Sequence, residues 1–273
     1  MLRPFNYSIE MIAAFWFSVV LTALVWIIGG RPFVAVDIIK FGAIAAAAFI
    51  AVRVLIRTGF RIAAAAEDRR VRRIMFEQGV TPELLGIMLR RVGRAKTPAQ
   101  KAECQLDLAS FLSEGCCYER SFEVLGMIDL RDLSESSKEE YFNIYVYTNL
   151  MAGDVAAARE IYRSAKYFFD RARMRHSAMP VLHTLGALEY AEGDYVRAEN
   201  YFTQALAYAV GKAARCDCEL FLALCYMKTG RLQYAVKAAK TAARDASTVY
   251  QRRNTEGLRA QLEKISSGKE TDT

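Results

Sequence analysis

Apolar and polar positions change character three times along the chain. From Met11 to Ile28 the residues read MIAAFWFSVVLTALVWII, with no charge among them. A helical run of that length crosses a hydrocarbon core of about 30 Å, so it predicts a membrane span. Its rival is a cleaved signal peptide, which needs a shorter apolar region and a small-residue cleavage site that is missing before Arg31. A second apolar segment, Phe33 to Ile56, carries Asp37, Lys40 and Arg53. It completes a hairpin if Asp37 and Lys40 pair near one interface and Arg53 snorkels to the other. The competing reading is an interfacial or soluble helix. Between the two segments, GGRPF suits a tight turn.

Beyond the hairpin the pattern becomes a succession of short amphipathic helices. TPELLGIMLRRVGRA places a Thr cap before a first-turn Pro and a Glu, so a helix should begin near Pro82. Further on, the stretch Gly186 to Leu206 spaces Gly186, Gly193, Ala198, Phe202 and Ala205 in a way that recurs. If Met179–Lys212 is one 34-residue repeat, Gly230 and Gly153 occupy the position of Gly193 in the copies Cys216–Val249 and Glu139–Ala172. A weaker copy, Lys101–Ser134, centres on Gly115 but has Arg120 where a small residue is expected. Each copy predicts two antiparallel helices. Small residues at positions 8, 20 and 27 let them approach, a bulky residue at 24 fills the space between, and Gly at 15 ends the first helix without a Cβ penalty. Cys216–Val249 departs from this at position 24, where Ala239 stands. A polar helix over Ser247–Ile265 should cap the series, and the tail after it should be disordered.

These residues resemble the tetratricopeptide repeat (TPR), with Met179–Lys212 lacking only the aromatic at position 11 (Glu189) and the proline at position 32 (Val210). The resemblance implies an α-solenoid, and with the hairpin read from the apolar segments the expected fold is all-α: an N-terminal transmembrane helical hairpin followed by a TPR-like α-solenoid. The expected organisation is a membrane anchor over residues 1–57, a basic juxtamembrane helical linker over 58–97, repeats over 98–247 and a capping helix with its tail over 248–273. It also implies that the first helix of each repeat lines a groove. That face carries Glu140, Asn143, Tyr147 and Leu150, then Pro180, His183, Ala187 and Tyr190, then Asp217, Leu220, Leu224 and Met227. Asn143, Tyr147, His183, Ala187, Tyr190, Leu220 and Leu224 are the candidate contacts with a partner protein or peptide. Carboxylate-clamping relatives use Lys, Asn and Arg on this face, and here only Asn143 has that character. The alternative occupant of the groove is the chain's own additional helices.

Charge adds an orientation. Seven arginines lie between Arg53 and Arg73, so the bulk of the chain should be cytoplasmic, at a bacterial inner membrane, with this segment near anionic lipid. The net charge of +7 is concentrated there, which removes the main argument for nucleic acid. All six cysteines fall in the repeats and should be reduced; Cys216, Cys218 and Cys225 read as small buried hydrophobes, with the wrong spacing for zinc. Two histidines, no Gly-rich phosphate loop and no nucleophile elbow argue against an enzyme, a cofactor or a small-molecule substrate. The expected role is a membrane-anchored interaction scaffold. In layout it is similar to envelope-assembly and haem-pathway proteins, although it lacks the paired-cysteine knuckle of the former. The alternative is an auxiliary subunit of a membrane complex, contacting its partners through the spans.

Overall fold

A computed structural model describes residues 35–175 and 178–267, together with Val20 and Gly29, and gives the backbone only for residues 35–46 and 60. All regular structure among these residues is helical. The elements are α1 (Ala35–Gln78), α2 (Pro82–Arg94), α3 (Pro98–Glu114), α4 (Tyr118–Gly126), a 3-10 turn (Leu130–Asp132), α5 (Glu135–Ala152), α6 (Val155–Ser164), α7 (Lys166–Arg173), α8 (Met179–Ala191), α9 (Tyr195–Tyr208), α10 (Gly211–Lys228), α11 (Leu232–Asp245) and α12 (Val249–Ser266). The chain forms two compact units, Met1–Arg70 and Val71–Thr273. The boundary falls inside the segment read above as a linker, because Val71, Ile74 and Met75 already belong to a core with Leu84, Ile87, Met88, Leu108 and Leu112.

In the first unit, Ile50, Val52, Val54, Leu55, Ile56 and Ile62 are each at least half exposed. Among the described residues no helix is long and apolar enough to cross a membrane. The first expected span, apart from Val20, lies outside the described residues, as do the side chains of the second up to Ala46. The transmembrane hairpin therefore finds no support there. The tail from Gly268 also lies outside the described residues.

The second unit is a series of antiparallel helix pairs, and local sequence explains where each helix starts and stops. Thr81, Thr97, Ser134, Asp154, Asp194 and Thr248 accept hydrogen bonds from the free N–H groups of their helices, with Gln251 completing a capping box at α12. Gly153 and Gly193 close α5 and α8 in the left-handed region, at φ of 90° and 87°. Inside the α8–α9 pair, Phe202, Ala198 and Ala205 are fully buried. A Cβ on Gly186 would stand 2.8 Å from the Phe202 ring, so the bulky residue of one helix needs the glycine of the other. In α10–α11, Ala223, Ala235, Ala239 and Ala242 are all buried, and Ala239 holds the repeat position that Phe202 holds in α8–α9.

Three departures from the simple repeat have local causes. In the weak copy Gly115 is not left-handed; Cys116 is, at φ 60°. The register slips by one residue, and the small buried residue is Ser121, whose hydroxyl donates to the Ala109 carbonyl at 2.8 Å, while Arg120 faces solvent. The second helix of Glu139–Ala172 breaks at Ala165 into α6 and α7. Phe169 then packs edge-on to Tyr162 at 5.1 Å while Phe168 stacks on Phe142 at 5.0 Å. Finally, Glu189, in the place of an aromatic, is buried and faces Arg159 at 3.5 Å and Arg197 at 3.2 Å. Similar pairs tie neighbouring repeats: Arg171 and Arg175 reach buried Glu139, and Arg231 meets Glu199 through two nitrogens.

The ends of this unit meet. Between α1 and α2, Val80 presses on Gly115 so closely that a Cβ there would be 2.1 Å from Val80 Cγ2. The Val80 N–H donates to the Tyr250 hydroxyl at 3.1 Å, joining residues 170 positions apart. Gly79, at φ 79°, leaves room for the same hydroxyl.

Candidate functional site

The first helices of successive pairs, α3, α5, α8 and α10, pack side by side, and their inner faces converge. Tyr147 of α5 lies 5.9 Å, ring centre to ring centre, from His183 of α8. His183 in turn lies 4.9 Å from Phe221 of α10 and 5.3 Å from Phe202 of α9. Tyr190, two turns along α8 from His183, faces Phe221 at 6.2 Å and Tyr195 at 5.3 Å. Beside them, Thr148 donates to Ser113 of α3 at 2.8 Å. Asp217 of α10 accepts from Gln251 of α12 at 2.8 Å, so the capping helix reaches this face too.

Burial divides the candidate contacts. Asn143, Tyr147, Tyr190, Leu220 and Leu224 are half-buried. Ala187 and His183 belong to the packed interior, only 2% and 7% exposed. A partner can reach the first five without disturbing the core, whereas Ala187 is closed off. Of the wider groove face, Leu150 is buried, Pro180 and Glu140 are exposed, and Asp217 and Met227 are half-buried.

The electrostatics of this interior follow from desolvation. Burial holds His183 well below the usual range, at about 4, against the opposing pull of the Asp217 main-chain carbonyl. The ring is therefore neutral at pH 7. Burial also raises Asp217 to about 6, although the Gln251 amide lowers it in part. Glu114, at the end of α3, is raised to about 7 by burial and then by the Asp217 carboxylate, with the Ser110 hydroxyl opposing. Its side chain keeps accessible surface, yet the protein around it desolvates the carboxyl. Tyr147 is raised as well, by burial first and then by Asp217, Glu114, Tyr118 and Cys116. Groups of α3, α4, α5 and α10 thus act on one another electrostatically.

Among the described residues, Asn143 Oδ1 and His183 Nε2 are buried without a hydrogen-bond partner. Buried polar atoms are normally hydrogen-bonded, to protein or to ordered water. Glu114 is absent from the sequence-derived set because the weak copy hides its register; only its place just before Gly115 could have drawn attention to it. Gln251 came from the capping helix, where no groove position was expected. No three of the described His, Cys, Asp or Glu residues cluster as metal ligands. The thiols of Cys216, Cys218 and Cys225 are buried and pushed up to about 12 by that burial, which suits packing.

No family model, curated protein or solved structure matches the chain. A functional reading therefore rests on the geometry of this interior and on the sequence pattern.

Proposed function

We propose that the protein is a membrane-anchored adaptor whose TPR-like array of helix pairs offers its inner face to a partner polypeptide on the cytoplasmic side of a bacterial inner membrane. The observation that carries the adaptor reading is the inner face itself: half-buried Tyr147, Tyr190, Leu220 and Leu224 lie on the same three helices as Asn143 and His183, with Tyr147 5.9 Å from the His183 ring. Aromatic and aliphatic anchors around a few polar groups are the composition of a peptide-binding surface. Anchoring is supported by the charge-free run Met11–Ile28 and by the exposed apolar residues of α1. At 100° per residue, Ile50, Val52, Val54, Leu55 and Ile56 point to all sides of the helix, a distribution that suits lipid better than water. The arginines from Arg53 to Arg73 then orient the repeats.

The test uses the full chain in its membrane. A photoreactive phenylalanine analogue at Tyr190 or Leu224 should crosslink to a separate polypeptide, and the same analogue at exposed Tyr234 on α11 should not. Crosslinks confined to the protein itself would refute an open groove. A reporter active only in the cytosol, fused after Thr273, should be active, and extraction of the chain by alkaline carbonate would refute the anchor.

A further inference from the structure

The charge of the second unit is unevenly placed. Residues 71–102 hold seven basic residues and two carboxylates, a net charge of +5, whereas residues 103–273 hold 22 basic and 24 acidic ones, a net charge of −2. The fold turns this excess outward. Val71, Ile74 and Met75 of α1 share one core with Leu84, Ile87 and Met88 of α2, so the opposite faces of both helices look away from it. On α1 that outer face carries Arg72, Arg73 and Phe76, all exposed. On α2, at 100° per residue, Leu89 points away from the buried trio and is 54% exposed. Half-buried Leu85 and Val92 flank it on one side, and exposed Arg90 and Arg94 on the other.

The link between the two ends of the unit brings a third helix to this corner. Besides the Val80–Tyr250 hydrogen bond, the Arg252 guanidinium of α12 reaches the Phe76 carbonyl at 3.5 Å, across 176 positions of sequence. Exposed Arg252 and its neighbour Arg253 thereby join the arginines of α1 and α2, and together they outnumber the exposed carboxylates of the same segments, Glu77, Glu83 and Glu256. Guanidinium groups bind phosphate oxygens through paired hydrogen bonds, while leucine and phenylalanine gain by leaving water. An anionic bilayer offers both partners, phosphate in its headgroups and acyl chain just beneath. RNA offers the phosphate but no apolar medium for the aliphatic strip of Leu85, Leu89 and Val92.

We infer that this corner of the repeat unit docks on an anionic lipid bilayer, with Arg72, Arg73, Arg90, Arg94 and Arg252 among the headgroups and Phe76 and Leu89 at the level of the upper acyl chains. The inference rests on the membrane half of the proposed function and extends it. An anchor keeps the chain at the membrane whatever the lipid, whereas contact through α2 depends on lipid charge. The arginines that orient the chain precede the repeats, and those of α2 and α12 belong to the repeats themselves.

The experiment uses the full chain reconstituted in nanodiscs, either of phosphatidylcholine alone or of phosphatidylcholine mixed with phosphatidylglycerol, each with a trace of phospholipid bearing a fluorescent acyl chain. A photoreactive phenylalanine analogue replaces Leu89 or, as a control, Tyr234, which is 61% exposed on α11. Illumination should transfer fluorescence to the protein from position 89, about fivefold more in the anionic bilayer than in the neutral one, since each cation near such a surface contributes about that factor. Position 234 should stay at background in both. Arg90→Gln combined with Arg94→Gln should return the anionic signal to the neutral level; both side chains are exposed, so this variant should fold, which far-ultraviolet circular dichroism checks. Equal labelling in the two bilayers, labelling at position 234 as strong as at 89, or a signal untouched by the two substitutions overturns the inference. So does crosslinking of position 89 to an added single-stranded RNA in place of lipid. Alkaline carbonate judges the anchor separately, because a chain that resists extraction yet takes no label at position 89 keeps its anchor and loses this surface.

Discussion

Gly186→Ala adds one methyl group at the most crowded point of the α8–α9 pair. The new Cβ would fall 2.8 to 2.9 Å from three atoms of the Phe202 ring, well inside van der Waals contact. The ring has little freedom to retreat: it is fully buried, stacked on Phe221 at 4.9 Å, with His183 edge-on at 5.3 Å. Overpacking of this kind costs about 3 kcal/mol at the upper end of its usual range. Alanine recovers about 1 kcal/mol through its better helix propensity. The net loss is then about 2 kcal/mol, or about 4–8 °C in the melting midpoint of a unit this size. Thermal unfolding followed by circular dichroism measures it, and a double-mutant cycle tests the cause. Phe202→Leu alone should destabilise by about 1 kcal/mol, but in the Gly186→Ala background it should cost nothing or restore stability, a coupling of at least about 1 kcal/mol. Additive effects, or a stable Gly186→Ala single variant, would show that the glycine is not there for the ring.

Two further outcomes follow from the same kind of reasoning. Gly257 lies within α12, is exposed and has open space where a Cβ would stand, with no atom within 4 Å, so Gly257→Ala should stabilise by about 0.5–1 kcal/mol; a loss in urea midpoint would contradict this. The interior titrates with opposing signs. His183, held at about 4, lets the unfolded chain bind the extra proton, so its part of the stability rises with pH between about 4 and 6.5. Glu114 and Asp217, raised to about 7 and about 6, let the folded chain bind the extra protons, so their part is present at low pH and is lost as pH rises through those values. Urea midpoints at about pH 5 and pH 7.5 should show His183→Gln losing the rise and Glu114→Gln steepening it, the latter by only about 1 kcal/mol because water reaches that carboxyl. Matching slopes in the wild type and both variants would contradict the assignment.

How much of this could be read beforehand varies from element to element. The cap at Thr81, the left-handed glycines 153 and 193 and the pairing of Gly186 with Phe202 follow from local rules, because each depends on residues close in sequence. The break at Ala165 and the one-residue slip at Cys116 did not, since both are decided by where Phe169 and Ser121 find tertiary partners. Glu189 looked like a defect in the repeat until Arg159 and Arg197 appeared beside it. For the site, helical spacing could not separate Ala187 in the packed interior from Tyr190 at its edge. Nor could it show that Asp217, about a hundred positions away, adds to the upward shift of Glu114.

The contact of Val80 with Gly115 and Tyr250 changes what kind of polymer this unit is. An open row of repeats behaves as a one-dimensional chain of neighbour interactions, with two free ends from which unravelling starts at little cost. Fastening the first helices to the last through the Val80–Tyr250 hydrogen bond joins the row into a circuit. Opening at either end of the row therefore also costs this contact. The same link must form across 170 positions, which raises contact order and slows folding. The two ends of the row thus support each other, where an open solenoid leaves both free.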